Sequence, residues 1–212
     1  MSDAGMAWLP LVAAALLACA AAPAAMSADR PAVAGDTPQE VLPPVGYGSL
    51  KQDEVTMSIR SGALLLKVTP LAEGVIRLLA PDTYTRLHGL AESRRPDAGA
   101  ASSAPVELFL VSFFSYQPDV SFQPEDVQLL HQGRTLRPLA VLPITSGWGR
   151  QLLQQQETQS AIYAFEAPLN YELQITMSYA AQSTDAWRNV IQRLQVERTK
   201  VQSRAGAESG SR

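Results

Sequence analysis

Charge is scarce in this sequence. Charged residues make up 17% of the 212 residues, and the formal net charge is −3 at pH 7. A protein whose main task is nucleic-acid binding needs a concentrated basic patch to neutralise phosphates. The sequence offers no such patch, so we predict that the chain does not bind nucleic acid. Apolar residues make up 46% of the chain, which is typical of a globular protein.

Cysteine and histidine are scarce as well. Cys19 is the single cysteine, which excludes an intrachain disulfide. His88 and His131 are the two histidines. We expect His88 on the exposed side of a short helix and His131 in a turn, so both are predicted at the surface. Two separate histidines and no second cysteine do not make a zinc ligand set. We predict no metal site and no cofactor.

The short motifs of several enzyme classes are missing too. Ser61 and Ser146 each precede a glycine but lack the Gly-x-Ser-x-Gly pattern of a hydrolase nucleophile. Residues 147–149 lack the spacing and the following lysine of a phosphate-binding loop. Glu125 and Asp126 are neighbouring carboxylates that could take part in glycoside chemistry; turn formation and capping are the other interpretation. We assign no catalytic residues and favour a protein that is not an enzyme.

The first residues look like an export signal. No charged residue lies between Asp3 and Asp29, and residues 6–17 form an apolar run. That run has the length of a signal-peptide core and is short for a membrane span. The sequence Leu-Leu-Ala-Cys at residues 16–19 resembles the lipobox of bacterial lipoprotein precursors. The resemblance covers about the first 20 residues.

In that family the cysteine becomes the lipidated first residue of the mature protein, so Cys19 is the expected lipidation site. Two alternatives are a leader removed after Ala28 and an uncleaved helical anchor. The resemblance implies an exported protein, in the periplasm or at the cell surface, held to the membrane by its lipid. Ala20, in place of aspartate after the cysteine, is similar to lipoproteins sent to an outer membrane.

Composition divides the chain into four segments. Residues 1–19 are the predicted signal peptide. Residues 20–50 are a predicted disordered tether, because small residues and proline dominate without hydrophobic periodicity. Residues 51–202 are the predicted folded domain, which ends in a helix. Residues 203–212 are too polar to pack and are a predicted disordered tail.

Alternation of apolar and polar residues predicts a mainly β fold. The strongest strand covers residues 106–116 and is apolar on both faces, so it should be central. A polar pair ending in glycine at residues 131–133 predicts a hairpin turn. The other predicted strands are 55–59, 63–69, 127–130, 134–142, 160–165 and 173–179.

Two helices complete the predicted fold. One covers residues 82–95 and should end before Pro96. The other begins after Ser183, Thr184 and Asp185 and runs to about residue 202, with one apolar side. We therefore predict an antiparallel sandwich with a short inserted helix and a C-terminal amphipathic helix. An immunoglobulin-like topology is the expectation from strand spacing alone.

One loop combines residue types that dominate binding hot spots. Residues 145–150 present Trp148 and Arg150 between glycines, which favours partner binding. The alternative is that Trp148 folds back to cover the open edge of the sandwich. The charged second half of the last helix is another candidate contact, and an ordinary cover for the sheet is the alternative there.

The leading functional hypothesis is an exported, lipid-anchored envelope protein with a non-catalytic binding or assembly domain. Its partner would be another envelope protein. The alternative is a hydrolase of envelope sugars or peptides, whose carboxylates converge only in the fold. A carrier of small apolar ligands between the sheets is a third hypothesis.

Overall fold

The computed structural model describes residues 42–102 and 104–209. The predicted signal peptide, Cys19 and the tether up to residue 41 lie outside the described residues. The helices are α1 (Glu73–Ile76), α2 (Pro81–Ala100) and α3 (Trp187–Ser209). The strands are β1 (Met57–Ser61), β2 (Leu64–Pro70), β3 (Val106–Ser115), β4 (Val120–Ser121), β5 (Gln128–His131), β6 (Arg134–Leu136), β7 (Ala140–Pro143), β8 (Leu152–Leu153), β9 (Thr158–Glu166), β10 (Ile175–Tyr179) and β11 (Gln182–Thr184).

The strands form antiparallel sheets that pack as a sandwich. The first sheet has the order β1-β2-β3-β9-β7, the second has the order β11-β10-β5-β6, and β4 pairs with β8. The predicted mainly β sandwich with an inserted helix and a C-terminal helix is thus confirmed. β3 lies in the middle of the first sheet, as its two apolar faces predict. The immunoglobulin-like topology stays a prediction.

Aromatic side chains fill the space between the two large sheets. Phe113 of β3 stacks on Phe122, with ring centroids 4.5 Å apart, and meets Tyr179 of β10 at 5.6 Å. Alternation along β3 sends Phe113 inward and its neighbours Ser112 and Phe114 to the opposite face of the sheet. The first sheet therefore has an inner face in the core and an outer face of its own.

The hairpin predicted at residues 131–133 is confirmed, and the strands predicted at residues 55–59 and 63–69 pair as a second hairpin. β1 pairs with β2 across a turn at Gly62, which has φ of +59°. β5 pairs with β6 across Gln132 and Gly133, whose φ values are +50° and +75°. Positive φ at both central residues suits the right-handed twist of the flanking strands, and a glycine adopts it without steric cost.

The single strand predicted at residues 134–142 is wrong. β6 ends at Leu136 in the second sheet, and β7 begins at Ala140 in the first sheet, where it pairs with β9. Pro138 lies in the break. Because proline donates no backbone hydrogen bond, the chain leaves one sheet here and crosses to the other.

The inserted helix α2 continues past Pro96, so the predicted end at residue 95 is also wrong. Proline removes one backbone hydrogen bond, but Glu92, whose carbonyl loses that partner, lies on the exposed side of the helix. Ala98 is fully buried and packs in the core beyond the proline. Burial of Ala98 in the last turn of α2 thus outweighs the tendency of proline to end a helix.

Both ends of the described chain differ from prediction. Residues 203–209 belong to α3 instead of a disordered tail. Residues 42–50, assigned to the tether, contact the folded domain; Leu50, for example, pairs with Leu79. Hydrogen bonds between α3 and this N-terminal segment order both, and no local pattern could reveal them. In the described part of the chain, no helix is both long and apolar enough to cross a membrane.

Candidate functional site

The loop that carries Trp148 and Arg150 connects β7 to β8. Trp148 is 6% exposed, and its ring meets the rings of Phe122, Phe113 and Tyr163 at centroid distances of 5.2, 5.8 and 6.3 Å. Trp148 thus folds back onto the sandwich, the alternative to partner binding given above, and it covers one end of the core. Arg150 is exposed. The two residues that we predicted as one partner-binding pair therefore have different environments: Trp148 is buried and Arg150 faces solvent.

A cleft of about 570 Å³ lies beside this loop. We call it the 145–159 cleft. It lies between the loop and the beginning of β9, so the turn before β9 supplies one of its walls. Its lining residues are polar or glycine: Thr145, Ser146, Gly147, Gly149, Arg150, Glu157, Thr158 and Gln159.

Gln159 contributes a buried amide to this lining. The residue is 1% exposed, and its Nε2 donates to the Leu152 carbonyl at 3.2 Å and to Glu157 Oε1 at 2.8 Å. Its Oε1 is buried and has no hydrogen-bond partner among the described residues. An unpaired buried acceptor costs about 1–3 kcal/mol, so an unsatisfied group at a cleft calls for an explanation.

Gly147 lets the loop lie directly against this amide. A Cβ at Gly147 would come within 2.8 Å of Gln159 Nε2 and 3.1 Å of Arg150 Nη2. Any side chain here would displace the Gln159 amide, which is held by its two hydrogen bonds. Glycine at this position therefore lets the loop approach the strand without moving these two side-chain ends.

Glu157 places a negative charge next to Arg150. The pKa of the Glu157 carboxyl lies below its ordinary value, because the Gln154 backbone N–H and the Gln159 amide donate to it and Arg150 Nη2 lies 3.7 Å away. The carboxylate is ionised at neutral pH. The cleft thus presents a strong acceptor, a strong donor and hydroxyls side by side, and neither histidine lines it. This arrangement suits recognition of a polar ligand.

A second polar cluster joins α1 to α2. Glu73 accepts hydrogen bonds from Arg77 Nε at 2.5 Å, from His88 Nδ1 at 2.7 Å and from the Tyr84 hydroxyl at 3.3 Å. Burial raises the pKa of Glu73, but the bonds from Arg77 and His88 outweigh it, so the net direction is down. His88, predicted on the exposed side of its helix, is only half-exposed, because Glu73 and the Tyr84 ring hold it.

A cavity of about 250 Å³ lies next to this cluster. Glu73 and Glu107 are the two carboxylates in its lining, with Tyr171 and Arg198 nearby. Both carboxylates already accept hydrogen bonds from the protein; Glu107 accepts one from the Tyr171 hydroxyl at 3.2 Å. Because these bonds connect the helices to each other and to the sheet, we interpret the cluster as a structural one that supports packing.

The remaining residues singled out in the sequence do not converge on one site. His131 is 6% exposed instead of lying at the surface, because it is the last residue of β5 and points inward. The Asn170 backbone N–H donates to its Nε2 and its Nδ1 lies 3.2 Å from the Gln174 carbonyl, so the neutral ring with the proton on Nδ1 fits. Glu125 and Asp126 lie exposed in a short turn before β5. Within residues 42–102 and 104–209, no group of three potential ligands could hold a metal.

Among the residues that the structure describes, a helix covers the outer face of the first sheet at one end only. At one end α2 packs against β3 and β7, and Leu108 of β3 and Ile162 of β9 are buried. At the other end a row of side chains crosses three strands in register: Arg60, Leu65 and Phe114. Together with Tyr116, these residues form what we call the open face.

Ring contacts order the open face. Phe114 and Tyr116 meet edge to face, with centroids 4.8 Å apart. The Arg60 guanidinium carbon lies 4.5 Å from the centre of the Tyr116 ring, which is within cation–π distance. Tyr116 is 41% exposed, and Leu65 and Phe114 are half-buried. The face therefore combines apolar area with a positioned cation.

Sequence reasoning missed Gln159, Glu157 and the open face. A local signal marks Gln159: it directly precedes the strand predicted at residues 160–165, and alternation along that strand places it on the inward side. No local signal marks the open face, because a strand that is apolar on both faces predicts complete cover of both faces.

Comparison with known proteins finds no relative: no family model, no curated protein and no solved structure matches the chain.

Proposed function

We propose that this protein is exported, is anchored by lipid on Cys19, and uses its non-catalytic sandwich domain to bind another envelope protein. The observation that carries the binding role is the open face. Three of its four residues, Arg60, Phe114 and Tyr116, are an arginine and two aromatics. Arginine and aromatic residues are enriched at the centre of protein interfaces, and tyrosine and arginine among hot spots.

The chemistry of the open face indicates the partner it fits. Within the described residues, the Arg60 guanidinium contacts the Tyr116 ring and is paired with no carboxylate. A partner segment that places an acidic residue beside apolar side chains would pair with Arg60 and cover Leu65 and Phe114. The ring contacts already restrict Arg60, Phe114 and Tyr116, so binding costs less conformational entropy.

Cross-linking in intact cells tests this role, with the captured proteins identified by mass spectrometry. The double variant Arg60→Ala/Tyr116→Ala should lower the yield of the cross-linked partner at least about tenfold, since a hot spot is worth about 2 kcal/mol or more. Its thermal midpoint should stay close to that of the wild type, because both side chains are at the surface.

The matched control is Arg137→Ala/Leu130→Ala, which removes an arginine and a large apolar side chain that are exposed elsewhere. The control should retain the partner. A partner captured equally by both double variants would contradict the role of the open face, and recovery of the protein in the cytosol would contradict export.

A further inference from the structure

A second surface of this domain has a different chemistry from the open face. We propose that the 145–159 cleft binds a saccharide, that is, a ligand with closely spaced hydroxyl or acetamido groups. The proposal does not depend on the partner protein, because Arg150, Glu157 and Gln159 lie outside the open face. It depends on three properties of the cleft: its mixed donors and acceptors, the buried oxygen of Gln159 that has no partner among the described residues, and a lining without aliphatic or aromatic side chains.

Donors and acceptors alternate over short distances in this cleft. Arg150 Nη2 and Glu157 Oε1 lie 3.7 Å apart, too far for a direct hydrogen bond. Ser146 and Thr158 add hydroxyls that have no hydrogen-bond partner in the part of the chain that the structure describes. A sugar hydroxyl donates and accepts through one atom, so it can accept from Arg150 while it donates to Glu157.

The unpaired Gln159 Oε1 needs a donor. The orientation of this amide is determined, because Nε2 donates to both Leu152 and Glu157 and the oxygen must be the remaining atom. Gln159 lines the cleft, and Gly147 is the loop residue that lies against its amide. A ligand hydroxyl or acetamido N–H that reaches the amide oxygen would pair an acceptor that has no partner among the described residues.

Other ligand classes fit this lining less well. Arg150 is the single cation among the lining residues, and Glu157 offsets its charge, so a phosphate would find no excess of positive charge. The one aromatic of the loop, Trp148, is buried in the core, which leaves little apolar surface for a hydrophobic ligand. The volume of about 570 Å³ lies in the range of small-ligand sites.

Isothermal titration calorimetry on the purified, processed protein tests the proposal with three probes: N,N′-diacetylchitobiose, cellobiose and triglycine. We expect binding of at least one disaccharide and none of triglycine. Cellobiose lacks acetamido groups, so its binding would show that hydroxyls suffice. Binding of triglycine alone would overturn the proposal and assign the cleft to a peptide backbone, and binding of none of the probes would overturn it as well.

Gln159→Leu should weaken disaccharide binding by about tenfold, because it removes the buried acceptor. The matched control is Gln174→Leu, since Gln174 Oε1 is also buried and unpaired but lies outside the cleft. The control should bind like the wild type. Equal affinities for the two variants would overturn the assignment of Gln159.

If Gln159→Leu does not fold, the surface variants Arg150→Ala and Ser146→Ala provide the same test. Both side chains are exposed or part of the loop wall, so the fold should tolerate their removal. Each variant should weaken disaccharide binding severalfold. Unchanged affinity in both variants would show that the disaccharide binds elsewhere on the protein.

Discussion

Glu197 is an ionised carboxylate at an inward position of α3. It is 2% exposed, and its Oε1 accepts hydrogen bonds from the Ser49 backbone N–H at 3.0 Å, the Ser49 hydroxyl at 2.8 Å and Arg204 Nη1 at 2.9 Å. Burial raises the pKa of Glu197, but the bonds from Ser49 and Arg204 outweigh it, so the net direction is down. One carboxylate therefore joins the N-terminal segment of the domain to its last helix.

A pH dependence of stability follows from Glu197. Because its pKa is lower in the folded than in the unfolded chain, its contribution is complete above the unfolded value and is lost as pH falls through the folded value. We expect Glu197→Gln to lower the free energy of unfolding by about 1–3 kcal/mol at neutral pH. In strong acid the variant and the wild type should converge. Urea denaturation at both pH values measures this.

The control for Glu197 is Glu92→Gln, at an exposed glutamate of α2 that pairs with Arg95. An exposed pair contributes about 0–1 kcal/mol, so this variant should stay close to the wild type at both pH values. A difference between Glu197→Gln and the wild type that stayed the same in acid would show that packing of the side chain, and not its charge, is what stabilises the fold.

Single residues were the hardest feature to predict from the sequence. The sequence leaves two positions open for Trp148, and only the rings of Phe113 and Phe122, distant in sequence, determine the inward one. His131 was placed at the surface because it adjoins a turn, yet its partners come from the segment before β10. Whether a polar side chain is buried depends on tertiary partners, which local periodicity does not report.

Secondary structure elements were easier to predict, since alternation reflects burial directly. β3 and the hairpins β1-β2 and β5-β6 follow from apolar periodicity and turn residues within a few positions. Errors occur where a long-range contact competes with a local signal. α2 passes Pro96, and α3 includes residues 203–209, because packing and hydrogen bonds elsewhere stabilise these turns.

The extent of α2 can be tested at Pro96. Alanine restores the backbone N–H and raises helix propensity by about 3 kcal/mol, although the unfolded chain gains about 1 kcal/mol of conformational freedom. Since Pro96 is exposed, no packing is lost. We therefore expect Pro96→Ala to raise the free energy of unfolding by about 1–2 kcal/mol in urea denaturation.

Ser93→Ala, at an exposed site of the same helix, is the control for Pro96. It gains helix propensity and loses the exposed hydrogen bond from its hydroxyl to the Leu90 carbonyl, so its stability should change by about 0.5 kcal/mol or less. Equal stability of Pro96→Ala and the wild type would mean that the helix ends before the proline in solution, as the sequence predicts.

At the scale of the whole molecule, the domain presents two surfaces of different chemistry. The open face combines apolar area with Arg60, and such area binds through the exclusion of water. The 145–159 cleft is polar and neutral as a whole, so a ligand there would be held by directed hydrogen bonds. If the two proposals hold, a lipid-anchored domain binds a protein at the open face and a saccharide at the cleft at the same time.

Anchoring at the membrane is itself testable at Cys19. If Cys19 is lipidated, the wild type should fractionate with membranes and its mature N-terminal peptide should carry acyl mass, since each buried CH₂ contributes about 0.8 kcal/mol. Cys19→Ser should lose that mass and leave the membrane fraction or remain unprocessed. The control is Ser27→Ala, next to the alternative cleavage position after Ala28, which should leave anchoring unchanged. A mature chain that begins at Asp29 in both the wild type and Cys19→Ser would contradict lipidation, because the cysteine would then be discarded with the leader.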